Sequence, residues 1–286
     1  MKRSSAVERR AVLADEPVHK LPRQPYDDEL DEEILDFYRD CLRALYRGKV
    51  PFLVGGACAL AHYAGVMRNT HDLDVFVRRK DCKRALQALS GAGYHAHLTF
   101  PHWLGKAMLG DGYVDVIFSS GNGIVNVDDE WFEHAVPGIV LGLPVGLCPP
   151  EEIIWSKSFI MERERCDAAD VAHILQALAP SLDWRRLIDR FGEHWRVLLG
   201  HLVLYDFVYP SERKVPAWVM RELLGRAMSE IDAEPAAEKL CQGTLLSRGQ
   251  YLVDVDHWGY EDARLVPRGT MTQEDVAWWT ACISRK

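Results

Sequence analysis

Two aspartates, Asp72 and Asp74, have the spacing of metal ligands in the run Asp-Leu-Asp-Val-Phe-Val. The alternation of polar and apolar residues predicts a β-strand, in which residues two apart project from the same face. Carboxylates that point in one direction repel each other unless a cation lies between them, and Mg²⁺ prefers carboxylate and phosphate oxygens as ligands. The pair therefore indicates a divalent metal site of the kind that supports phosphoryl chemistry, often with two ions.

A third acid, Asp115, interrupts another apolar run, Tyr-Val-Asp-Val-Ile-Phe. This run also predicts a strand, and its carboxylate would complete a triad if the two strands are neighbours. An isolated Asp-x-Asp pair is more often two surface acids beside a turn. The third acid within an apolar strand, together with a glycine turn upstream, favours the metal site over that alternative.

The glycine turn is Gly55-Gly56, which separates the short apolar run Phe52-Leu53-Val54 from a helix predicted to begin at Ala57. A strand, a tight glycine turn and a helix in succession leave backbone N–H groups free at the start of the helix. Such groups bind anions, so the turn is a candidate site for a phosphate.

The hydrophobic periodicity elsewhere predicts alternating helices and strands, followed by a mainly helical region after about residue 180. In the first region, helices are expected over about residues 30–48, 57–63, 81–90, 149–161 and 166–178, a strand over 94–98, and hairpins over 103–119 and 138–148. In the second region, helices are expected over about residues 184–191, 194–209, 217–231 and 273–282.

The arrangement of Gly55-Gly56, fifteen further residues, Asp-Leu-Asp and a later single strand aspartate resembles the DNA-polymerase-β-type nucleotidyltransferase superfamily. The resemblance implies that the two glycines hold the triphosphate and that Asp72, Asp74 and Asp115 bind the metals. It also makes Asp115 the candidate base for the attacking hydroxyl. One departure is Ala57, which offers no hydroxyl to a phosphate, although backbone N–H groups at this position remain suitable.

A second stretch, Glu-Glu-Ile-Ile-Trp-Ser-Lys to Asp-Ala-Ala-Asp, resembles the K…R-x-x-D-x-x-D region of abortive-infection-type nucleotidyltransferase toxins and their bacterial relatives. By this resemblance Lys157 reaches the triphosphate as a point charge. Either Arg163 or Arg165 assists it. Asp167 and Asp170 lie on one helix face and would orient Lys157 or bind the nucleotide. The alternative is that both acids only complement the helix dipole.

The resemblance implies an α+β fold, with a mixed β-sheet, helices packed against it and a mainly helical C-terminal domain. We expect a flexible N-terminal tail over residues 1–29, a nucleotidyltransferase core over 30–180 and the helical domain over 181–286. The core would use Mg²⁺ to transfer a nucleoside monophosphate from a nucleoside triphosphate (NTP) to an acceptor hydroxyl, releasing pyrophosphate. The alternative is a catalytically inactive protein of the same fold that binds a nucleotide or a partner. Ala57 favours this alternative, because it offers no hydroxyl to a phosphate.

The composition leaves the acceptor open among an RNA end such as that of tRNA, a protein hydroxyl and a small molecule such as an aminoglycoside. The net charge of −8 speaks mildly against a broad RNA-binding surface. Seven cysteines, with no C-x-x-C pair, favour neither disulfides nor a zinc site and indicate a reducing cytoplasm. No run approaches the roughly 18 apolar residues of a membrane helix, so a membrane is not expected as a partner. A partner protein stays open.

Overall fold

A seven-stranded mixed sheet organises the chain in the computed structural model, which describes residues 32–67, 72–234 and 237–282. The predicted tail over residues 1–29 lies outside the described residues. The strands are β1 (Leu53–Val54), β2 (Asp72–Phe76), β3 (His95–Phe100), β4 (Leu104–Leu109), β5 (Gly112–Ile117), β6 (Val136–Val140) and β7 (Leu143–Leu147). Their spatial order is β3-β4-β5-β2-β1-β7-β6.

Helices surround this sheet and make up most of the chain after it. They are α1 (Glu32–Arg47), α2 (Gly56–Ala64), α3 (Arg79–Gly91), α4 (Asp129–Glu133), α5 (Pro150–Ser158), α6 (Ala168–Leu178), α7 (Trp184–Phe191), α8 (Trp195–Val208), α9 (Ala217–Ser229), α10 (Leu252–Asp256) and α11 (Gln273–Ala281). A small parallel pair, β8 (Leu240–Cys241) and β9 (Glu261–Asp262), lies among the last of them. The predicted α+β class, with a mixed sheet and a helical C-terminal region, is confirmed.

The two central strands, β2 and β5, run parallel and divide their residues between the faces of the sheet. Leu73, Val75, Val114 and Val116 are fully buried in one apolar cluster with residues of α1 and α3. Because side chains alternate along a strand, the residues between them project from the opposite face. The burial of these four side chains therefore fixes which way the acidic residues of β2 and β5 point.

A second apolar cluster joins the sheet to the helices that follow it. It includes Leu53 of β1, Ile154 of α5, Leu198 of α8 and Leu223 of α9, all nearly or fully buried. The packing of apolar side chains is therefore continuous on both sides of residue 180. The placing of a domain boundary there remains a prediction.

Helix α5, which carries Lys157, is held against α7 by largely buried ion pairs. The Arg186 guanidinium donates to the carboxylates of Glu151 and Glu152. Burial raises the pKa of Glu152, and Arg186 opposes that rise. Buried charges of this kind are costly unless paired, so loss of one partner would disturb α5 strongly.

The last helix, α11, attaches to the sheet through Trp279. Its ring lies 5.1 Å from the rings of both Phe100 and Trp103, measured between centroids. The Arg248 guanidinium stacks 4.4 Å from the same ring. Among the described residues, no helix is long and apolar enough to cross a membrane.

We expect Trp279→Ala to lower the free energy of unfolding by about 2 kcal/mol, because it removes a half-buried aromatic ring from this contact. It should also make the C-terminal helix accessible to protease. Limited proteolysis and urea denaturation measure both effects. The matched control is Trp278→Ala, since that ring is 48% exposed and contacts only the edge of Phe100 among the described rings. Equal sensitivity of the two variants would contradict the packing described here.

Candidate functional site

The three predicted metal-binding acids lie together on the sheet face opposite α1 and α3. Asp74 of β2 stands beside Asp115 of β5 in the parallel register. One carboxylate oxygen each from Asp72, Asp74 and Asp115 fall within 4.8 Å of one another. Three hard oxygen donors at this separation form a donor set that suits Mg²⁺, which commonly takes carboxylates from the protein and the rest of its ligands from phosphate and water.

The glycine turn abuts this triad. Gly55 N–H donates to the Asp74 carbonyl at 3.0 Å, which ties the turn to β2. Gly56 has a φ of 53°, and a Cβ atom added there would lie 1.7 Å from Asp74 Oδ2. Only glycine fits, because both the left-handed backbone and the carboxylate exclude a side chain. The first N–H groups of α2 therefore begin immediately beside the carboxylate oxygens of the triad, and N–H groups at a helix start are suited to bind an anion.

The first glycine is required for a different contact. A Cβ atom at Gly55 would lie 2.3 Å from the Phe76 ring and 3.2 Å from Cys148 Sγ. Phe76 itself stacks on Trp131, with 5.3 Å between the ring centroids. The close approach of β1 to this aromatic pair explains why two successive glycines occur in the turn.

Burial, together with the charges of Asp72 and Asp115, raises the pKa of the central acid of the triad, Asp74, to about 7. The charges of Lys157 and Arg165 oppose the rise. A divalent cation among the carboxylates would stabilise the ionised form of Asp74 and so lower its pKa again. The electrostatics and the donor set therefore fit the same ion.

The predicted cationic side of the site is a group of ion pairs between α5 and the start of α6. Lys157 Nζ donates to Asp167 Oδ2 at 2.7 Å and to Asp170 Oδ2 at 2.8 Å. Arg165 donates to both oxygens of Asp167 at 2.9 Å. Burial opposes the ionisation of Asp167, but these hydrogen bonds and charges bring its pKa to about 2. Both acids thus contact Lys157 directly and hold its ammonium in place.

The other predicted role of Asp167 and Asp170 is to complement the dipole of α6 without contacting Lys157. Asp167 is the N-cap residue of α6, yet its side chain makes no capping hydrogen bond. Its carboxylate is turned to Lys157 and Arg165 instead. Of the two arginines proposed to assist Lys157, Arg165 reaches this group, and its charge acts on Asp74. Arg163 is exposed on the same loop.

The sequence interpretation missed one charged residue of the site, Lys106 of β4. Its Nζ lies 2.5 Å from Asp115 Oδ1 and 4.1 Å from the centre of the Tyr113 ring. Burial raises the pKa of Asp115, whereas the Lys106 charge lowers it. The sequence does contain a pattern that predicts this pair, because Gly110-Asp111 is a two-residue hairpin turn and such a turn sets the register of its two strands. Counting outward from Leu109 and Gly112 places Lys106 opposite Asp115, as observed.

Comparison with known proteins identifies solved structures with a similar arrangement of elements. No protein-family model matches the sequence, and no curated protein sequence matches it significantly. The antibiotic-resistance factor ANT(2'')-Ia is 19% identical, with 71% of this chain and 96% of that chain covered and a TM-score of 0.37. An antigenic nucleotidyltransferase-like protein from Paracoccidioides brasiliensis is 15% identical, with 64% and 91% covered and a TM-score of 0.40.

A third similar structure is the lincosamide antibiotic adenylyltransferase LnuA, solved with lincomycin bound. It is 13% identical, with 53% of this chain and all of that chain covered (100%) and a TM-score of 0.37. LnuA is thus an adenylyltransferase and the Paracoccidioides protein is nucleotidyltransferase-like, which agrees with the class that the glycine turn and the aspartates resemble.

The raised pKa of Asp74 has a consequence for stability without metal. Between the unfolded value near 4 and the folded value of about 7, the native state retains a proton that the unfolded state releases, so stability falls as the pH rises. Asp74→Asn is always neutral and avoids this penalty. In EDTA we expect it to raise the melting temperature at pH 8, with a smaller rise at pH 5. Thermal denaturation measures this, and a destabilised variant at pH 8 would contradict the account.

Proposed function

We propose that the protein is a metal-dependent nucleotidyltransferase that moves a nucleoside monophosphate from an NTP to an acceptor hydroxyl. The observation that carries the proposal is the convergence of Asp72, Asp74 and Asp115 within 4.8 Å, directly beside the Gly56 turn. Carboxylates at this distance repel one another, a divalent cation between them would relieve the repulsion, and a glycine turn at the start of a helix suits a phosphate. A candidate metal site and a candidate phosphate site that adjoin each other are suited to bind a triphosphate together with its metal ion.

The chain's own residues have distinct roles in this reaction. Backbone N–H groups from Gly56 onward would bind a phosphate, and Lys157 would add a positive charge whose position Asp167 and Asp170 fix. A divalent ion held by the three aspartates would neutralise charge on the triphosphate and lower the pKa of the acceptor hydroxyl. Lys157 already has two anionic partners, so it is oriented before the nucleotide binds.

Transfer of the nucleotide exchanges one bond at the α-phosphorus for another. The acceptor oxygen forms a bond to the α-phosphorus as the bond from that phosphorus to the bridging oxygen breaks, and pyrophosphate leaves. Asp115 is the candidate base for the hydroxyl proton, because its carboxylate lies beside Asp74 at the edge of the cluster nearest to β4. Because Ala57 has no hydroxyl group, backbone N–H groups would make the phosphate contacts in this turn.

We take an RNA end, a protein hydroxyl and a small molecule such as an aminoglycoside as the acceptors to test. His97 lies opposite Lys106 in the β3–β4 register, and His95 lies on the same face. Strands β3 and β4 carry no carboxylate. The structural neighbours include ANT(2'')-Ia in complex with adenylyl-2''-tobramycin, an antibiotic product. Lys106, the one lysine or arginine of these two strands, is already paired with Asp115, so the strands offer no unbalanced charge that selects a cationic or an anionic acceptor.

The first test is a thermal-shift and pyrophosphate-release screen with Mg²⁺ and each of the four NTPs. We expect at least one NTP to raise the melting temperature only when Mg²⁺ is present, because metal and triphosphate bind together. The double variant Asp72→Ala/Asp74→Ala should lose this response. Gly56→Ala should lose it as well, because its Cβ collides with Asp74.

The matched control for the glycine variant is Gly91→Ala at the end of α3. A Cβ atom there meets nothing within 4 Å, so this variant should respond like wild type. An NTP response in wild type without pyrophosphate release, across RNA, protein and small-molecule acceptors, would favour the inactive nucleotide-binding alternative. No response to any NTP would contradict the proposal and favour a protein that binds a partner.

A further inference from the structure

Arg165 lies on a closed loop between α5 and α6, residues 160–167, here called the Arg165 loop. The two ends of this loop are joined by a hydrogen bond from the Asp167 N–H to the Ile160 carbonyl at 3.0 Å. The tip, residues 162–165, lies outside that hydrogen bond. Contacts with another part of the chain therefore decide how firmly the tip is held.

Residues 245–250, here called the C-terminal segment, supply these contacts. The Glu162 carboxylate accepts hydrogen bonds from Ser247 Oγ at 2.6 Å and from the Arg248 N–H at 3.1 Å. The Arg248 guanidinium donates to Glu164 at 2.7 Å. The side chains of Glu162 and Arg248 are each 15% exposed, and hydrogen bonds that involve an ionised group are among the strongest in proteins. The tip of the loop is therefore fastened to the C-terminal segment mainly through Glu162.

The C-terminal segment is a firm support because it is attached on both sides. Gln250 Nε2 donates to the Met161 carbonyl at 3.0 Å, and the Met161 N–H donates to the Leu246 carbonyl at 3.1 Å. On the side of the sheet, Asn122 Nδ2 donates to the Leu245 carbonyl at 2.6 Å. The segment thus connects the Arg165 loop to the loop that follows β5.

Arg165 has donor groups that its own ion pair does not use. Its Nε and Nη2 atoms donate to Asp167, which leaves Nη1 outside this pair. The side chain is 61% exposed, and its charge and the charges of Asp72 and Asp74 act on each other. A guanidinium offers five N–H donors in a planar fork that suits phosphate oxygens. Arg165 is therefore placed to donate to a triphosphate bound beside the triad.

We propose that the C-terminal segment sets the affinity for the nucleotide by holding Arg165 in place, with Glu162 as the positioning residue. Without the Glu162 carboxylate, the tip of the loop loses its hydrogen bonds to Ser247 and Arg248. Arg165 then has to be ordered when the nucleotide binds, which weakens binding. The inference rests on the proposed function and gives the region after residue 180 a part in the nucleotide site.

The test is a set of binding measurements on the full chain by isothermal titration calorimetry. The probes are the Mg²⁺ complexes of α,β-methylene NTP analogues, in which the bond that the transfer would break is replaced. Arg165→Ala should raise Kd about tenfold, because it removes a charged hydrogen-bond donor to the triphosphate. Glu162→Ala should raise Kd by a similar or smaller factor. The double variant should bind as Arg165→Ala does, because Glu162 acts only through Arg165.

The double variant distinguishes positioning of Arg165 from a general loss of structure. Losses that multiply in the double variant would overturn the inference, since Glu162 would then act by another route. Ser247→Ala is a milder change that removes one donor to Glu162 and leaves the backbone contacts in place. It should raise Kd by a smaller factor than Glu162→Ala, and this effect should also vanish in the Arg165→Ala background.

Glu238→Ala is the matched control, because Glu238 also pairs with an arginine, Arg268, in the C-terminal region. That pair is exposed, and within the described part of the chain neither residue has a hydrogen bond or ion pair to the Arg165 loop. The control should bind the analogues like wild type. An equal loss of affinity in Glu238→Ala and Glu162→Ala would contradict a specific role for Glu162.

The outcomes separate this inference from the function on which it rests. If wild type binds an analogue and Glu162→Ala binds it equally well, the role of Glu162 is overturned and the proposed function stands. If wild type binds none of the analogues in the presence of Mg²⁺, both are overturned.

Discussion

The mutual repulsion of three carboxylates on one sheet face is the constraint on which the rest of the site depends. Asp72, Asp74 and Asp115 are held together because β2 and β5 are parallel neighbours whose other residues are buried. Neither strand can rotate without exposing apolar side chains to water, which costs about 25 cal/mol per Å² of apolar surface. Burial on one face thus maintains electrostatic strain on the other, and metal binding would relieve it.

Positive charges flank this acidic centre on two sides. Lys106 contacts Asp115 from β4, whereas Lys157 of α5 and Arg165 of the loop after it act on Asp74. The two sides differ in how their charges are balanced. Lys157 and Arg165 have their own acids, Asp167 and Asp170, whereas Lys106 is paired with Asp115 of the acidic triad.

The sequence predicts those parts of the site that depend on local geometry. The period of two in β2 places Asp72 and Asp74 on one face, and the hairpin turn sets the register that pairs Lys106 with Asp115. The adjacency of β2 and β5 is not predictable in this way, because 35 residues (77–111) separate the two strands and only tertiary packing brings them together. The collision that excludes a side chain at Gly56 is likewise a tertiary effect. The packing of Trp279 on the sheet depends on three-dimensional contacts as well.

The most direct test of the account is a crystal structure of the full chain with Mn²⁺ and a non-hydrolysable NTP analogue, using anomalous scattering to locate the metal. The account predicts Mn²⁺ bound by Asp72, Asp74 and Asp115, with the triphosphate at the Gly56 turn and in reach of Lys157. Mn²⁺ bound away from the three aspartates, or a nucleotide bound elsewhere on the protein, would contradict it.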